Sequence, residues 1–271
     1  MTGPQALVGG RYRLVERIGA GGMGVVWRAV DELLGRTVAV KELVLAPGQD
    51  EAATEDARQR VLREGRLAAR LHHPNAIAVF DVALHGGSPW LVMEYLPSRT
   101  LAAELATHGP LAPQRAAAIG HQLADALTAA HAAGIVHRDV KPGNVLLADE
   151  PEQLAKLTDF GISRAADDVT ITRTGVLTGT PAYLAPEVAR GGPPEAPSDV
   201  FSLGATLYAA VEGQPPFGTG DNALALLHAV AAGRVRPPQR AGALTETLLT
   251  LLRDDPAQRP SMAQARDALA A

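Results

Sequence analysis

The chain has 271 residues, 46% of them hydrophobic, and a formal net charge of -4 at pH 7, which indicates a globular protein of about two lobes rather than a nucleic-acid-binding one. The absence of cysteine excludes disulfides and thiolate chemistry. The N-terminal sequence lacks the apolar core of a signal peptide, and no run of 18 apolar residues predicts a membrane span.

The first hundred residues predict strands and one helix. Residues 11–44 alternate apolar side chains with turn glycines, which indicates three antiparallel strands, and residues 76–84 and 88–96 predict two more. Residues 51–71 have helical spacing and place Glu64 in the middle of the apolar face. A buried carboxylate requires a partner. We therefore predict a small five-stranded antiparallel lobe with one main helix.

The rest of the chain predicts a larger, mainly helical lobe. Residues 113–133 carry an apolar stripe at helical spacing, and Gly134 follows where a C-terminal cap belongs. Two short apolar runs come next, then a threonine-rich stretch over 167–180 and helical segments to the end. The predicted fold class is therefore α+β.

The glycines of "IGAGGMGVVWRAV" point to a phosphate-binding loop of one of two kinds. Gly19, Gly21 and Gly24 fit G-x-G-x-x-G, which occurs both in dinucleotide-binding folds and in loops that cover ATP. A dinucleotide fold needs a helix after the glycines, whereas Val25 and Val26 favour a strand. We therefore interpret the loop as a hairpin tip that covers phosphates, although a flexible turn would have the same sequence.

Lysine is rare in this chain, because only three of its 25 basic residues are lysines. One of them, Lys41, shares a strand face with the small Ala39, as a pocket for a base and its phosphates requires. Glu64 could supply the partner of this lysine. The alternative is that Lys41 is a solvated charge at the edge of the sheet.

Chemistry-bearing residues are concentrated in "GIVHRDVKPGNVLL" (134–147) and "LTDFGIS" (157–163). The oxygens of Asn144 and Asp159 suit a hard cation such as magnesium. Asp139 can then accept the proton of an attacking hydroxyl, while Lys141 steadies a transferring phosphoryl group.

Seven motifs in chain order resemble the eukaryotic-type (Hanks-type) Ser/Thr protein kinases, most closely their bacterial branch. They are "GAGGMGVV", "VAVK", "HRDVKPGN", "DFG", "GTPAYLAPE", "SDVFSLG" and "DPAQRPS". The resemblance implies a bilobal kinase domain over about residues 12–270, with an N-terminal extension (1–11), an N-lobe (12–96) and a C-lobe (97–271). It also implies transfer of the γ-phosphoryl group of ATP to Ser or Thr of proteins, with Mg2+ or Mn2+.

The resemblance also implies a role for each matching residue. Those assigned to nucleotide binding are Ile18, Gly19, Ala20, Gly21, Gly22, Met23, Gly24, Val25, Val26, Ala39, Lys41, Met93, Glu94, Leu96 and Leu146. Those assigned to catalysis are Lys41, Glu64, Asp139 and Lys141, and the metal ligands are Asn144 and Asp159. Structural roles fall to His137, Phe160, Glu187, Asp199 and Arg259. Lys141 and Thr180 mark specificity for Ser and Thr rather than Tyr.

Regulation is also implied by the resemblance. Arg138 is expected to bind a phosphate on the activation loop, where Thr172 and Thr174 match positions at which bacterial relatives phosphorylate themselves. The implied partner is a second copy of the chain, in a homodimer that phosphorylates in trans. The expected location is the cytoplasm, for a stand-alone kinase or for the cytoplasmic domain of a membrane-anchored one.

Two other classes of function compete with an active protein kinase. A pseudokinase would have the same fold without catalysis, but Lys41, Glu64, Asp139, Asn144 and Asp159 are all present. A small-molecule phosphotransferase would lack the "GTPAYLAPE" segment.

We also expect Gly65, beside Glu64, to loosen the predicted helix.

Overall fold

The computed structural model describes residues 3–21, 24–43, 51–150, 154–160, 181–220 and 222–270. These residues form two compact units. The first contains the described residues up to His72 together with Ile77–Leu96, and the second contains His73–Ala76, Pro97–Phe160 and the described residues from 181 onward.

The first unit contains an antiparallel sheet of six strands. They are β1 (Leu7–Val8), β2 (Tyr12–Gly21), β3 (Gly24–Asp31), β4 (Arg36–Glu42), β5 (Val79–His85) and β6 (Ser88–Glu94), in the order β1-β2-β3-β4-β6-β5. The prediction of five strands was one short, because β1 has only two residues and no period to detect. Gly9 and Gly10, with φ of +57° and +68°, reverse the chain so that Val8 pairs with Tyr12.

A single described helix, α1 (Glu51–Ala68), packs against β5 and β6 of this sheet. Its residues Val61, Ala68 and, just beyond it, Leu71 are buried, as the spacing predicted. A methyl group on Gly65 would lie 2.6 Å from Cγ2 of Val82. Gly65 therefore allows close packing of α1 on β5, a constraint that the sequence did not reveal.

The second unit combines a three-stranded sheet with the helices. The sheet consists of β7 (Ser98–Thr100), β8 (Val145–Ala148) and β9 (Ala155–Leu157). The helices described are α2 (Leu101–His108), α3 (Pro113–Ala132), α4 (Pro186–Ala189), α5 (Ala196–Glu212), α6 (Ala223–Ala231), α7 (Thr245–Leu251) and α8 (Met262–Ala270).

Two helices form the centre of the second unit. In α3 the predicted stripe of Ala116, Ile119, Leu123, Leu127 and Ala130 is buried, and it contributes to the packing of α3 against α5 and α8. In α5 every residue from 198 to 211 is buried, as in a helix surrounded by protein. No helix in the described part of the chain has both the length and the apolar character needed to span a bilayer.

Candidate active site

The loop between α3 and β8 brings together three of the residues singled out in the sequence. Nζ of Lys141 donates a 2.7 Å hydrogen bond to Oδ2 of Asp139. Nδ2 of Asn144 donates to the same oxygen at 2.9 Å and to the backbone oxygen of Asp139 at 2.8 Å. The carboxylate of Asp139 is thus held in one orientation by an ammonium and an amide.

Asp199 on α5 holds the backbone of this loop through hydrogen bonds. Its fully buried carboxylate accepts a 2.8 Å hydrogen bond from the backbone nitrogen of His137 and another of 2.8 Å from that of Arg138. Nε2 of His131 donates a third, also 2.8 Å long. Arg138 has a φ of +70°, which is uncommon for a residue other than glycine. The loop therefore adopts an unfavourable conformation that Asp199 stabilises.

The imidazole of His137 connects the loop to the segment that carries Asp159. Its Nδ1 accepts a hydrogen bond from the backbone nitrogen of Asp139 (3.2 Å), so Nε2 carries the proton and donates to the backbone oxygen of Thr158 at 2.9 Å. The ring also makes an edge contact with Phe160, with centroids 4.7 Å apart. The backbone nitrogen of Thr158 donates to the backbone oxygen of Asn144 at 3.0 Å. Asn144 and Asp159 are therefore on segments that are hydrogen-bonded to each other.

In the first unit, the strand register groups the predicted nucleotide-binding residues. Val26 lies opposite Lys41 in the β3–β4 ladder, and Ala39 lies opposite Met93 in the β4–β6 ladder. Lys41 is only 4% exposed and belongs to β4, which lies between β3 and β6. This placement rules out the interpretation of Lys41 as a solvated edge charge. Glu64 is half-buried on α1 of the same unit.

The glycine-rich segment is a β-hairpin. Gly21 at the end of β2 pairs with Gly24 at the start of β3, and Gly19 lies opposite Val26. The strand that begins at Gly24 agrees with the hairpin expected from Val25 and Val26 and not with a dinucleotide-binding helix. Several residues from the sequence analysis lie outside the described residues: Gly22, Met23, Thr172, Thr174 and Thr180.

Glu187 and Arg259 form an ion pair in which the guanidinium is buried and the carboxylate is half-buried. Two nitrogens of Arg259 each donate a 2.7 Å hydrogen bond to one oxygen of Glu187. The remaining three N–H groups donate to the backbone oxygens of Pro197, Arg253 and Asp254, so all five donors of the guanidinium are used. The pair therefore connects α4 to the start of α5 and to the segment before α8.

Comparison with known proteins agrees with this geometry. The family model described as the protein kinase domain matches residues 12–269. The chain belongs to the protein kinase family. PkaA of Streptomyces coelicolor, a serine/threonine-protein kinase, is 42% identical over 270 residues, which are 94% of this chain and 48% of that protein. PknA of Mycobacterium tuberculosis, also a serine/threonine-protein kinase, is 42% identical over 257 residues, covering 92% of this chain and 58% of that protein.

A solved structure supports the fold of the kinase domain. The crystal structure of Rad53 (1–466) in complex with AMP-PNP matches with a TM-score of 0.75 and 27% sequence identity, over 95% of this chain and 64% of that one. The predicted α+β protein-kinase fold and the resemblance to bacterial Ser/Thr kinases are confirmed. The chain spans about half the length of the two curated relatives described above, at 48% and 58%.

The side-chain oxygens available as metal ligands in the kinase domain fit a divalent cation that is bound together with a nucleotide. Nδ2 of Asn144 is turned toward Asp139, which leaves Oδ1 as the atom for a cation. Magnesium is commonly held by one or two side-chain oxygens together with substrate phosphates. The described residues contain no group of three or more His, Cys, Asp or Glu side chains that could hold a metal alone. The pair Asn144 and Asp159 therefore suits a metal that arrives with ATP.

One residue of this arrangement, His131, was missed in the sequence. It lies 68 positions before its partner Asp199, so no local pattern connects them. A signal was nevertheless present, because His131 continues the stripe of Ile119, Leu123 and Leu127 at steps of four. A polar residue at the end of a buried stripe indicates a buried hydrogen-bond partner.

Proposed function

We propose that this chain is a protein serine/threonine kinase that transfers the γ-phosphoryl group of ATP to hydroxyl groups of proteins. The observation that carries the proposal is the position of Lys141 and Asn144 on one oxygen of Asp139, at 2.7 and 2.9 Å. Among the described residues, no hydrogen bond reaches the other oxygen, Oδ1. A substrate hydroxyl can therefore approach Asp139 at Oδ1.

In the proposed reaction, Asp139 acts as general base. The hydroxyl oxygen of Ser or Thr forms a bond to the γ-phosphorus while the bond from that phosphorus to the β–γ bridging oxygen breaks, and ADP leaves with the electron pair. The hydroxyl proton moves to Oδ1 of Asp139. Lys141, whose ammonium lies 2.7 Å from Oδ2, places positive charge beside the transferring group.

In this proposal, the other residues assigned to catalysis, nucleotide binding and metal binding hold and orient ATP. Lys41 contacts the α- and β-phosphates and pairs with Glu64, while Ala39 and Met93 face the base. Asn144 and Asp159 hold Mg2+, which supplies charge neutralisation at the β- and γ-phosphates when it is bound. Support for the role of Lys41 comes from its burial, because a lysine that is 4% exposed requires an anionic environment.

The test is phosphorylation of peptides that contain Ser, Thr or Tyr as their only hydroxyl residue, with ATP and Mg2+. We expect phosphorylation of the Ser and Thr peptides and none of the Tyr peptide. Lys41→Met should remove activity, whereas Lys156→Met, a matched change in β9, should retain it. Equal activity of the two lysine variants would contradict the proposed role of Lys41.

We further propose that the kinase activates itself in bacterial signalling, by phosphorylation of Thr172 and Thr174 within a homodimer. Arg138 would bind the added phosphate, because a phosphate carries nearly two negative charges and strong acceptors. The variant Thr172→Ala/Thr174→Ala should lose most of its kinase activity and retain ATP binding. Reaction in trans predicts that the active wild type adds phosphate to Thr172 or Thr174 of the inactive Asp139→Asn variant, and an Asp139→Asn chain left unmodified in that mixture would contradict it.

A further inference from the structure

A cavity of about 310 Å³ lies beside the loop between α3 and β8 that carries Asp139, within the second unit. Its walls come from the turn after Lys141, from α2, from the end of α5 and from the start of α6. The apolar residues of the lining include Ala102, Leu105, Pro142, Ala209, Pro215 and Leu226. This volume is at the lower end of the range of about 300–1,000 Å³ for small-molecule sites, which suits one or two amino-acid side chains.

The chemistry of the walls favours an apolar occupant. None of the described residues that line the cavity is charged, and polar groups come only from neutral side chains such as Tyr183, Gln214 and Thr219. A cationic side chain placed there would lose hydration without gaining a carboxylate. An apolar side chain would gain the free energy of removing its surface from water.

The acidic side chains on the same helices are engaged within the protein. Glu104 of α2 is buried, and its carboxylate contacts Arg99 at 2.6 Å, His108 at 3.1 Å and Arg115 at 3.3 Å. Glu212 at the end of α5 accepts hydrogen bonds from the backbone nitrogens of Gln239 and Arg240, at 3.0 and 2.7 Å. Neither carboxylate is among the residues that line the cavity.

The position of the cavity relates it to the protein substrate. Pro142 lines the cavity and lies three residues after Asp139, a separation of at most about 11 Å along an extended chain. A peptide whose hydroxyl group is at Asp139 covers the same distance with about three of its own residues. The cavity is therefore within reach of a side chain close to the phosphorylated residue.

We propose that this cavity binds an apolar side chain of the protein substrate, within about three residues of the phosphorylated Ser or Thr. The proposal rests on the proposed kinase function and adds the substrate class, which is segments with an apolar rather than a basic residue near the phosphoacceptor. It assigns selectivity to Leu105, Ala209 and Leu226, which do not take part in phosphoryl transfer.

The test uses sets of three peptides that differ at a single position, where they carry Leu, Arg or Ala. In successive sets, this position is moved from three residues before the phosphoacceptor to three residues after it. At one position we expect kcat/KM for the Leu peptide to exceed that for the Arg and Ala peptides by about tenfold, as for a small apolar pocket. Ala102→Glu, which adds a carboxylate to the cavity wall, should lower the Leu-to-Arg ratio about tenfold.

A matched control lies on the same helix. Ala103→Glu adds the same charge to the first turn of α2 at an exposed residue that does not line the cavity. Its effect on the helix dipole is equivalent, so the Leu-to-Arg ratio should stay as in the wild type. An equal change of the ratio in both variants would contradict binding in the cavity.

Failure of the cavity proposal can be distinguished from failure of the kinase proposal. If the wild type phosphorylates the peptides without preferring Leu at any position, or prefers Arg, the cavity proposal is wrong and the kinase function stands. If no peptide is phosphorylated, the kinase proposal fails. In that case, fluorescence anisotropy of labelled Leu and Arg peptides with the Asp139→Asn variant tests the cavity alone, and equal affinities would overturn it.

Discussion

The carboxylate of Asp199 accepts a 2.8 Å hydrogen bond from the backbone nitrogen of Arg138, the residue directly before the proposed base. Arg138 has a φ of +70°, a conformation that costs about 1–3 kcal/mol for such residues. The fully buried Asp199 also accepts from His137 and His131. Asp199 is therefore a positioning residue that holds Asp139 in place through the backbone.

Asp199→Asn should lower both stability and turnover. The amide nitrogen would face a backbone N–H group in place of an oxygen, and one unsatisfied buried group costs about 1–3 kcal/mol. A shift of the loop by about 1 Å would lower kcat about a hundredfold, with the KM for ATP little changed. Steady-state kinetics and urea unfolding measure both effects. Asp254→Asn, at an exposed ion pair with Arg190, is the control and should change neither.

Arg259→Lys should destabilise the fold although it keeps the charge. Lysine has three donors and no planar fork, so it cannot reproduce the five hydrogen bonds of Arg259. We expect a loss of about 3 kcal/mol in the free energy of unfolding and a fall of roughly 6–12 °C in Tm. Thermal unfolding of Arg13→Lys, at the exposed pair with Glu32, should differ from the wild type by less than about 1 kcal/mol. Similar Tm values for the two variants would contradict the importance of the hydrogen bonds made by the buried guanidinium of Arg259.

Gly65→Ala should destabilise the protein even though alanine favours helices. The new methyl group would meet Cγ2 of Val82 at 2.6 Å, and such overpacking costs about 1–3 kcal/mol. In a Val82→Ala background the clash is absent, so the same change should stabilise the protein by about 0.5–1 kcal/mol. Urea unfolding of the four proteins checks this reversal of sign, and the same sign in both backgrounds would contradict close packing at this site.

The stability of the first unit should fall in acid because of Asp31. Two 2.7 Å hydrogen bonds from Arg11 hold the pKa of Asp31 at about 2, below the value of about 3.9 for an unfolded chain. A lowered pKa in the folded state stabilises the protein above pH 3.9 or so, and this contribution is lost as the pH falls toward 2.

Asp31→Asn should therefore weaken the dependence of the free energy of unfolding on pH. Urea unfolding at about pH 5, 4, 3 and 2, a range that includes both pKa values of Asp31, compares the variant with the wild type. Other carboxylates, such as Glu104, retain their own contribution in both proteins. Burial would raise the pKa of Glu104, but the hydrogen bond from Arg99 and the nearby charges of Arg99, His108 and Arg115 together lower it. An identical pH dependence in the two proteins would contradict the role of the Arg11–Asp31 pair.

Local patterns in the sequence predicted local structure well. The four-three spacing of α3 predicted its buried face, and the strand alternation placed Ala39 and Lys41 on one face of β4. Contacts between residues that are far apart in the chain leave no periodic pattern in the sequence. Arg259 and Glu187 lie 72 residues apart, so only the resemblance to kinases suggested their pairing.

Two other features could not be predicted, for different physical reasons. The strand β1 has two residues, too few for an alternating pattern, and its existence depends on the turn at Gly9 and Gly10. The packing role of Gly65 depends on how closely Val82 approaches it, which is a property of the folded unit and not of the helix sequence.

The measurement that tests the kinase proposal most directly is intact mass spectrometry of the purified, dephosphorylated chain and a Ser/Thr peptide, after incubation with ATP and Mg2+. The wild type should add one or more phosphoryl groups to itself or to the peptide, and Asp139→Asn should do so at least about a hundredfold more slowly. Equal phosphorylation by the two proteins, or none by a wild type that binds ATP, would contradict the assignment of Asp139 as the base of a protein kinase.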